Sequence, residues 1–547
     1  MTTATQPRLS FQTHPDRYRH WKLAVDGDVA TLRMHVRPEA GLGDYELKLN
    51  SYDLGVDVEL ADAVLRLRFE HPEVRAVVLT GDLDRVFCAG ANIVMLRTSA
   101  HAFKVNFCKF TNETRLAIED ASAHSNKRFL AALNGTASGG GYELALACDR
   151  ILLVDDRNSA VSFPEVPLLG VLPGTGGLTR ITDKRRVRRD RCDVMSTVAE
   201  GIKGKRALEW GLVDGLAPLS RWDETVAGVA RELADEVPPS DARGIALPVI
   251  EPREVDGGLE YEHVELRLNE AERTAELAIA CPSDVPETSE EAYAWGGAWW
   301  VLAAFRELDD ALLQLRMNLR EVALVLVRAR GDAAALQRTD ALLSEADHWF
   351  VNETRQLVKR TLKRLDLSSK SFYAVADAGT TFVGTFLELL LACDRSYVMN
   401  DPDERVELGV TAAQSGLYPM SNGLSRLETR FLGAPHAAAA VLARAGEILD
   451  AETADELGLA TFAPDAIDWE DELRLALEER ASFSPDALTG MESNLRFPGP
   501  ETMETKIFGR LSAWQNWIFQ RPNAVGERGA LTCYGTPIRP EFAPERT

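Results

Sequence analysis

An internal repeat sets the architecture of this chain of 547 residues. Phe110-Thr-Asn-Glu-Thr-Arg115 recurs as Phe350-Val-Asn-Glu-Thr-Arg355, and Leu144-Ala-Leu-Ala-Cys-Asp-Arg150 recurs as Leu389-Leu-Leu-Ala-Cys-Asp-Arg395. The two offsets are 240 and 245 residues. Further matches follow in the same order, Gly177-Leu178-x-Arg180 with Gly423-Leu424-x-Arg426 and Ala207-x-x-x-Gly211-Leu212 with Ala454-x-x-x-Gly458-Leu459. Ordered matches at a nearly constant offset predict two copies of one folding unit.

Each copy alternates strand-like and helical segments. Residues 29–36 and 74–80 in the first copy, and 322–327 in the second, are β-branched runs bounded by turn residues. Helical periodicity follows them, which predicts an α/β architecture of tandem units. We expect a catalytic unit, a proline-rich linker, a degenerate second unit and a helical C-terminal region, at 1–234, 235–288, 289–465 and 466–547, respectively.

Composition restricts the possible partners. The formal net charge of −23 disfavours binding to nucleic acid or to an anionic membrane surface. The apolar runs are too short to span a bilayer, and the first twenty residues lack the apolar core of a signal peptide, so we expect a cytoplasmic protein. Seven scattered cysteines suggest reduced thiols. The sequence shows no metal-ligand spacing and demands no cofactor.

Two glycine-containing turns and two acids carry the chemistry of the first copy. Phe87-Cys-Ala-Gly-Ala-Asn-Ile93 follows a strand, and Ala137-Ser-Gly-Gly-Gly-Tyr-Glu143 precedes an apolar helix. Small residues in such turns let backbone N–H groups form an oxyanion hole, although the glycines alone are also compatible with close helix packing. Glu143 follows the glycines, and Glu165 lies among apolar neighbours, where desolvation raises the pKa of a carboxyl group. For Glu143, a charge at a helix N-terminus is the structural alternative.

These motifs resemble those of the crotonase, or enoyl-CoA hydratase/isomerase, superfamily. Asn134-Gly-Thr-Ala-Ser-Gly-Gly-Gly-Tyr-Glu-Leu144 and Leu172-Pro-Gly-Thr-Gly-Gly177 also match its signatures. The resemblance implies a ββα spiral fold that binds an acyl-CoA substrate and stabilises its enolate with two backbone N–H groups, here those of Ala91 and Gly140. It also places Glu143 and Glu165 on the two glutamates that hydratases use to handle water.

The tandem length and the ending of the chain, 516–531, are similar to those of one ring-opening branch of the superfamily. That branch converts 2,3-epoxybenzoyl-CoA into a ring-opened semialdehyde and formate, without a redox cofactor. Hydration or isomerisation of a straight-chain enoyl-CoA is the alternative activity, and a non-catalytic scaffold is the other reading. Two departures from the superfamily pattern stand out: Asn92 replaces an aspartate, and residues 41–49 are an insertion.

Further expectations concern substrate contacts, assembly and the second copy. By its place in the resemblance, Cys108 contacts the acyl group, with core filling as the alternative, and Arg37 contacts CoA. The basic run 184–189 meets CoA phosphates or a partner subunit, or is a solvated helix face. We expect a homo-oligomer, with a dimer favoured. The second copy keeps only Glu388, and the position of Glu165 falls at Val410 or Thr411, so we expect Glu388 to be structural.

Overall fold

The computed structural model describes residues 8–345 and 347–547, and the chain divides into two compact units. The N-terminal unit comprises Ser10–Val249. The C-terminal unit comprises Ile250–Thr547 and includes Leu9, whose N–H donates to Asn318 Oδ1 over 3.0 Å.

The N-terminal unit contains ten strands and eight α-helices within its described residues. They are β1 (Trp21–Asp26), β2 (Val29–Met34), α1 (Leu54–Phe69), β3 (Ala76–Gly81), β4 (Arg85–Cys88), α2 (Ile93–Thr98), α3 (His101–His124), β5 (Arg128–Leu133), β6 (Gly135–Ser138), α4 (Gly140–Ala147), β7 (Arg150–Asp155), β8 (Ala160–Ser162), α5 (Gly177–Thr179), α6 (Arg189–Thr197), β9 (Ile202–Lys203), α7 (Gly204–Glu209), β10 (Gly215–Pro218) and α8 (Trp222–Asp235).

Two sheets organise this unit. The larger has the order β1-β2-β3-β5-β7-β10 and is parallel except for the β1–β2 hairpin. Its central strand β3 is an apolar run buried along its whole length, as is usual when helices cover both faces of a parallel sheet. The smaller sheet, β4-β6-β8-β9, continues from the ends of these strands. The segments after β4, β6 and β8 carry the predicted site residues, and the parallel pairing of these strands brings the segments together.

The C-terminal unit contains ten strands and fourteen α-helices within its described residues. They are β11 (Arg253–Val255), β12 (Gly258–Glu260), β13 (Val264–Asn269), β14 (Thr274–Cys281), α9 (Ser289–Trp295), α10 (Trp300–Met317), β15 (Leu324–Gly331), α11 (Ala333–Glu345), α12 (Trp349–Leu367), β16 (Ser371–Ala376), β17 (Thr381–Val383), α13 (Thr385–Ala392), β18 (Arg395–Val398), β19 (Glu407–Gly409), α14 (Arg426–Arg430), α15 (Pro435–Leu442), β20 (Ile448–Leu449), α16 (Ala451–Glu456), α17 (Trp469–Ser482), α18 (Pro485–Leu495), α19 (Met503–Lys506), α20 (Ser512–Phe519), α21 (Pro522–Val525) and α22 (Ala530–Cys533).

The order of elements in this unit follows that of the N-terminal unit. An antiparallel β13–β14 hairpin leads into parallel strands β15, β16 and β18, as β1–β2 leads into β3, β5 and β7. One difference concerns the site. Where β4 follows β3, the C-terminal unit runs from β15 directly into α11, and the small sheet there is β17-β19-β20.

The prediction of a linker over 235–288 is wrong for its central part. Residues 253–281 form strands β11 to β14 of the seven-stranded sheet. The many prolines and acids of this segment favoured the prediction of a linker. The apolar residues of β14, however, alternate with less buried ones and pack into the core. The helical C-terminal region after residue 466 is present, and it belongs to the same compact unit as the strands. None of the described helices has the length and apolar character needed to cross a bilayer.

Candidate active site

The turn after β4 and the start of α4 meet through their backbones. Gly90 has a φ of +90°, and a Cβ added there would lie 2.8 Å from the oxygen of Ser138 and 3.0 Å from the nitrogen of Gly140. A side chain at this position would therefore separate the two turns, and its backbone would also be strained. The glycine in the first motif thus permits the contact with the second.

The backbone geometry leaves two N–H groups without acceptors. Tyr52 forms a parallel bridge with Ala91, because its N–H donates to Gly90 O over 3.0 Å and its carbonyl accepts from Asn92 N over 2.8 Å. Successive peptide groups of an extended chain alternate in direction, so the N–H of Ala91 faces away from Tyr52. Gly140 begins α4, where N–H groups have no intrahelical partner. Across the described residues, neither N–H donates a hydrogen bond. This arrangement has the donors of an oxyanion hole.

Glu143 lies in the first turn of α4 and is held by the loop before α5. Its buried carboxylate accepts hydrogen bonds from Thr175 N over 2.9 Å, from Gly177 N over 2.8 Å and from the hydroxyl of Thr175. A Cβ on Gly177 would approach Glu143 Cγ to 2.9 Å, so the glycine lets the loop close over the acid. The carboxylate is therefore fixed in orientation.

Glu165 opens a π-helical turn, Glu165–Leu169, that follows β8. A Cβ on Gly139 would collide with Glu165 Oε1, which places this carboxyl group beside the start of α4. Its Oε2 is buried and has no hydrogen-bond partner among the residues that the structure describes. Burial, with a smaller contribution from the Glu143 charge, raises the pKa of Glu165 to about 7. Such a group can take up or release a proton near neutral pH.

Tyr52 and Arg115, which were not predicted from the sequence, support these turns. Tyr52 is 2% exposed, and Arg115 on α3 is fully buried beside it. Arg115 Nη2 donates to Gly140 O over 3.1 Å and to Tyr52 Oη over 3.2 Å. A signal was present, because Arg115 closes the repeated block Phe110-Thr-Asn-Glu-Thr-Arg115 as a charge on the buried face of a helix. In the sequence, this arginine was interpreted only as the last residue of the repeated block.

The predicted substrate-contact residues lie in different environments. Cys108 is half-buried on α3, and burial followed by the Glu143 charge raises the pKa of its thiol to about 11. The thiol is therefore protonated at neutral pH. Arg37 is exposed after β2. Residues of the basic run form ion pairs within the unit, namely Lys184 with Glu119, Arg185 with Asp214 and Arg188 with Asp190.

The two departures from the superfamily pattern are connected. Asn92 Oδ1 accepts from Met95 N over 2.9 Å and caps α2. Its amide donates to the carbonyl of Glu46, inside the inserted segment 41–49, over 2.8 Å and to Ser51 Oγ over 3.3 Å. A carboxylate cannot donate to these oxygens. The amide of Asn92 thus makes hydrogen bonds to segment 41–49 and to Ser51 that the aspartate of the superfamily pattern could not make.

The corresponding place in the C-terminal unit is filled by a side chain. Gly384 N donates to Gly409 O as Gly139 N donates to Ser162 O, and α13 begins at Thr385 as α4 begins at Gly140. The N–H of Thr385 donates to Asp340 Oδ2 over 2.9 Å.

Both carboxylate oxygens of Glu388 have partners within this unit. One accepts from Gln414 over 3.1 Å, and the other pairs with Arg426 over 3.2 Å. Of the two positions predicted to match Glu165, Val410 and Thr411, the second lies beside the corresponding glycine. A Cβ on Gly384 would lie 2.9 Å from Thr411 Oγ1, as a Cβ on Gly139 would approach Glu165 Oε1.

No group of three or more His, Cys, Asp or Glu side chains suited to a metal ion occurs in the described part of the chain. The polar groups of the site include the N–H groups of Ala91 and Gly140 and the carboxyl groups of Glu143 and Glu165.

Comparison with known proteins identifies the family of this chain. The enoyl-CoA hydratase/isomerase family model matches residues 45–243. The chain is 52% identical over 538 residues to the benzoyl-CoA-dihydrodiol lyase of Aromatoleum evansii, covering 98% of this chain and 97% of that protein. It is 30% identical to the carnitinyl-CoA dehydratase of Proteus mirabilis, over 36% of this chain and 70% of the relative. A crystal structure of enoyl-CoA hydratase from Bacillus anthracis shares 25% identity with a TM-score of 0.34, covering 39% of this chain and 76% of that one. The chain belongs to the benzoyl-CoA-dihydrodiol lyase family within the crotonase superfamily.

Proposed function

We propose that the N-terminal unit opens the ring of 2,3-epoxybenzoyl-CoA, adding two waters to give 3,4-dehydroadipyl-CoA semialdehyde and formate. Identity to a benzoyl-CoA-dihydrodiol lyase along nearly the whole chain supports the substrate class. Glu165 supports the chemistry most directly: its Oε2 is buried without a hydrogen-bond partner in the described part of the chain, and its pKa is raised. It lies at the start of the helix that presents the Gly140 N–H.

Each group has a role in this reaction. The N–H groups of Ala91 and Gly140 bind the thioester oxygen, which draws electrons from the ring and prepares it for attack by water. Glu165 carries protons between water and the ring, and Glu143 orients and activates water with the loop of Thr175. The first water opens the epoxide, and the bond between the two epoxide carbons breaks as the ring double bonds rearrange, which leaves an aldehyde at each of these carbons. The second water adds to the aldehyde that neighbours the thioester-bearing carbon, and the bond between these two carbons breaks. Its electron pair stays on the thioester side as an enolate, which the two N–H groups hold until a proton returns, and the aldehyde carbon leaves as formate.

Formate release is the direct test. Purified protein is incubated with 2,3-epoxybenzoyl-CoA, and formate and the semialdehyde are quantified; we expect equal amounts of both. Hydration or isomerisation of a straight-chain enoyl-CoA without formate from the epoxide would favour the alternative activity. Absence of turnover with both substrates would favour a scaffold, in which the glycines serve only packing.

We further propose that the two units arose by duplication and that the C-terminal unit no longer binds acyl-CoA. The repeated order of hairpin, parallel strands and short helix supports a duplication. Asp340 supports the loss of binding, because its carboxylate takes the N–H that corresponds to that of Gly140. Titration with a non-reacting acyl-CoA should give one site per chain.

We also propose two substrate contacts, at Cys108 and Arg37, and a homodimeric assembly. Cys108 contacts the aromatic ring, and Arg37 contacts the CoA phosphates as a charge-assisted hydrogen-bond donor. We propose a cytoplasmic homodimer, as the acidic, cysteine-poor sequence and the resemblance suggest. Arg37→Ala should raise KM for the acyl-CoA without lowering kcat, and light scattering should give twice the mass of the chain.

A further inference from the structure

Tyr52 holds the first donor turn through its main chain. Its N–H and carbonyl bond to the residues on both sides of Ala91, at 3.0 and 2.8 Å. These two hydrogen bonds fix the plane of the extended segment around Ala91. They therefore fix the direction in which the N–H of Ala91 points.

The side chain of Tyr52 touches the second donor turn. A Cβ built on Gly140 would overlap the Tyr52 hydroxyl and would lie 2.8 Å from its Cζ, so the phenol packs directly against Gly140. Arg115 donates from one nitrogen to both Tyr52 Oη and Gly140 O. The hydroxyl, the guanidinium and the Gly140 carbonyl thus form one closed set of contacts below the turn.

Further contacts hold Arg115 and the ring of Tyr52 in place. The Arg115 guanidinium lies 5.4 Å from the centroid of the Tyr52 ring and 3.6 Å from Asp57 Oδ1. Asp57 lies in the first turn of α1 and accepts from the hydroxyl of Thr111 on α3. Phe107 packs on the Tyr52 ring with centroids 5.9 Å apart. The phenol is therefore clamped between α1 and α3.

We propose that Tyr52 is a positioning residue that sets the separation of the Ala91 and Gly140 N–H groups, acting on one through its backbone and on the other through its hydroxyl. This inference rests on the proposed function, since it concerns the same two donors. Burial raises the pKa of Tyr52 well above its ordinary value. The phenol therefore keeps its proton at neutral pH and accepts from Arg115 without a charge of its own.

Tyr52→Phe tests the proposal because it keeps the ring and removes the hydroxyl. We expect kcat for formate release to fall about 10-fold or more, with KM changed less than about 3-fold, because the donors matter most when charge develops on the oxygen. Tyr18→Phe is the matched control: it removes a partly buried hydroxyl that donates to Asp62 in the same unit, and it should keep wild-type kinetics.

The infrared spectrum of bound benzoyl-CoA gives a readout that does not need turnover. Two aligned donors shift the thioester carbonyl stretch to lower frequency, and we expect Tyr52→Phe to lose part of this shift while Tyr18→Phe retains it. Wild-type kcat and carbonyl frequency in Tyr52→Phe would overturn the proposal. Wild-type protein that releases no formate would reject the proposed function alone, because the carbonyl shift still tests Tyr52.

A double-mutant cycle on thermal stability tests the contact between Tyr52 and Gly140 without relying on activity. Gly140→Ala places a methyl group against the Tyr52 hydroxyl, so its loss of thermal stability should be smaller in the Tyr52→Phe background. Strictly additive midpoints would show that the hydroxyl does not act on Gly140 and would count against the inference.

Discussion

Thr385 donates its backbone N–H to the Asp340 carboxylate over 2.9 Å, at the helix start that corresponds to Gly140. The Thr385 and Thr411 hydroxyls donate to the same carboxylate. Burial raises the pKa of Asp340 to about 6, so the side chain carries its negative charge above that pH. Among the described residues the Gly140 N–H thus has no acceptor, whereas the Thr385 N–H has one from helix α11 of its own unit.

Glu388→Gln should leave formate release within a few-fold of wild type, because Glu388 lies in the unit whose N–H is already occupied. Its carboxylate pairs with buried Arg426, so the variant should lower the thermal midpoint. Rates are therefore compared per folded molecule. A loss as large as that of Glu143→Gln would indicate a second active site.

Glu165→Gln and Glu143→Gln should each lower kcat for formate release by about 10²–10⁴-fold, since each removes an acid/base group and keeps its shape. Glu143→Gln should also loosen the loop, because Oε1 accepts from the N–H groups of Thr175 and Gly177 while Oε2 accepts from the Thr175 hydroxyl, and the NH2 group of an amide cannot accept in place of the second oxygen. Thermal midpoints separate the two effects. Near-wild-type turnover in either variant would remove that residue from the mechanism.

The stability of the protein should depend on pH through Glu165. The unfolded chain releases this proton near its ordinary pKa of 4.5, whereas the native protein keeps it to about pH 7. Between these values the native state binds more protons, so the free energy of unfolding falls as pH rises and levels off above about 7. Glu165→Gln lacks this contribution and should gain stability relative to wild type between pH 5 and 8. Denaturant unfolding at both pH values measures it, and parallel pH curves for the two proteins would contradict the assignment.

Gly140→Ala should lower kcat/KM by about 10²–10³-fold, the range that follows the loss of one oxyanion donor. The φ of Gly140 is not positive, so the cause is the collision with Tyr52 rather than backbone strain. Gly228→Ala is the matched control, because Gly228 lies in helix α8 with open space around its added Cβ. Full activity in a stable Gly140→Ala variant would exclude this N–H as a donor.

Asn92→Asp should lower both the thermal midpoint and kcat/KM, although aspartate is the usual residue of the superfamily here. The carboxylate would keep the cap on Met95 N but would face the Glu46 carbonyl that now accepts the amide. Asn92→Ser keeps a helix cap without this repulsion and should be less affected. Equal behaviour of the two variants would show that the inserted segment 41–49 does not depend on the amide.

The sequence by itself determined the α/β class and predicted four residues of the candidate site. These follow from local patterns: strands and helices have their own periodicities, and Gly140 and Glu143 are fixed in one turn of a helix by their spacing. The strands predicted at 29–36 and 74–80 are β2 and β3 with ends shifted by up to two residues. Apolar neighbours of Glu165 were sufficient to predict its raised pKa, because desolvation depends on what surrounds the carboxyl group.

Tertiary structure alone decided which distant residues complete the turns. Tyr52 and Arg115 come from an extended segment and from α3, and only the packing of these elements brings the phenol against Gly140. Packing of distant elements also brings Asp340 to the N–H of Thr385. Strands β11 to β14 form because their apolar faces pack into the core, although the surrounding sequence is rich in proline. Such contacts depend on burial between segments far apart in the chain, and no local pattern records which partner each segment will meet.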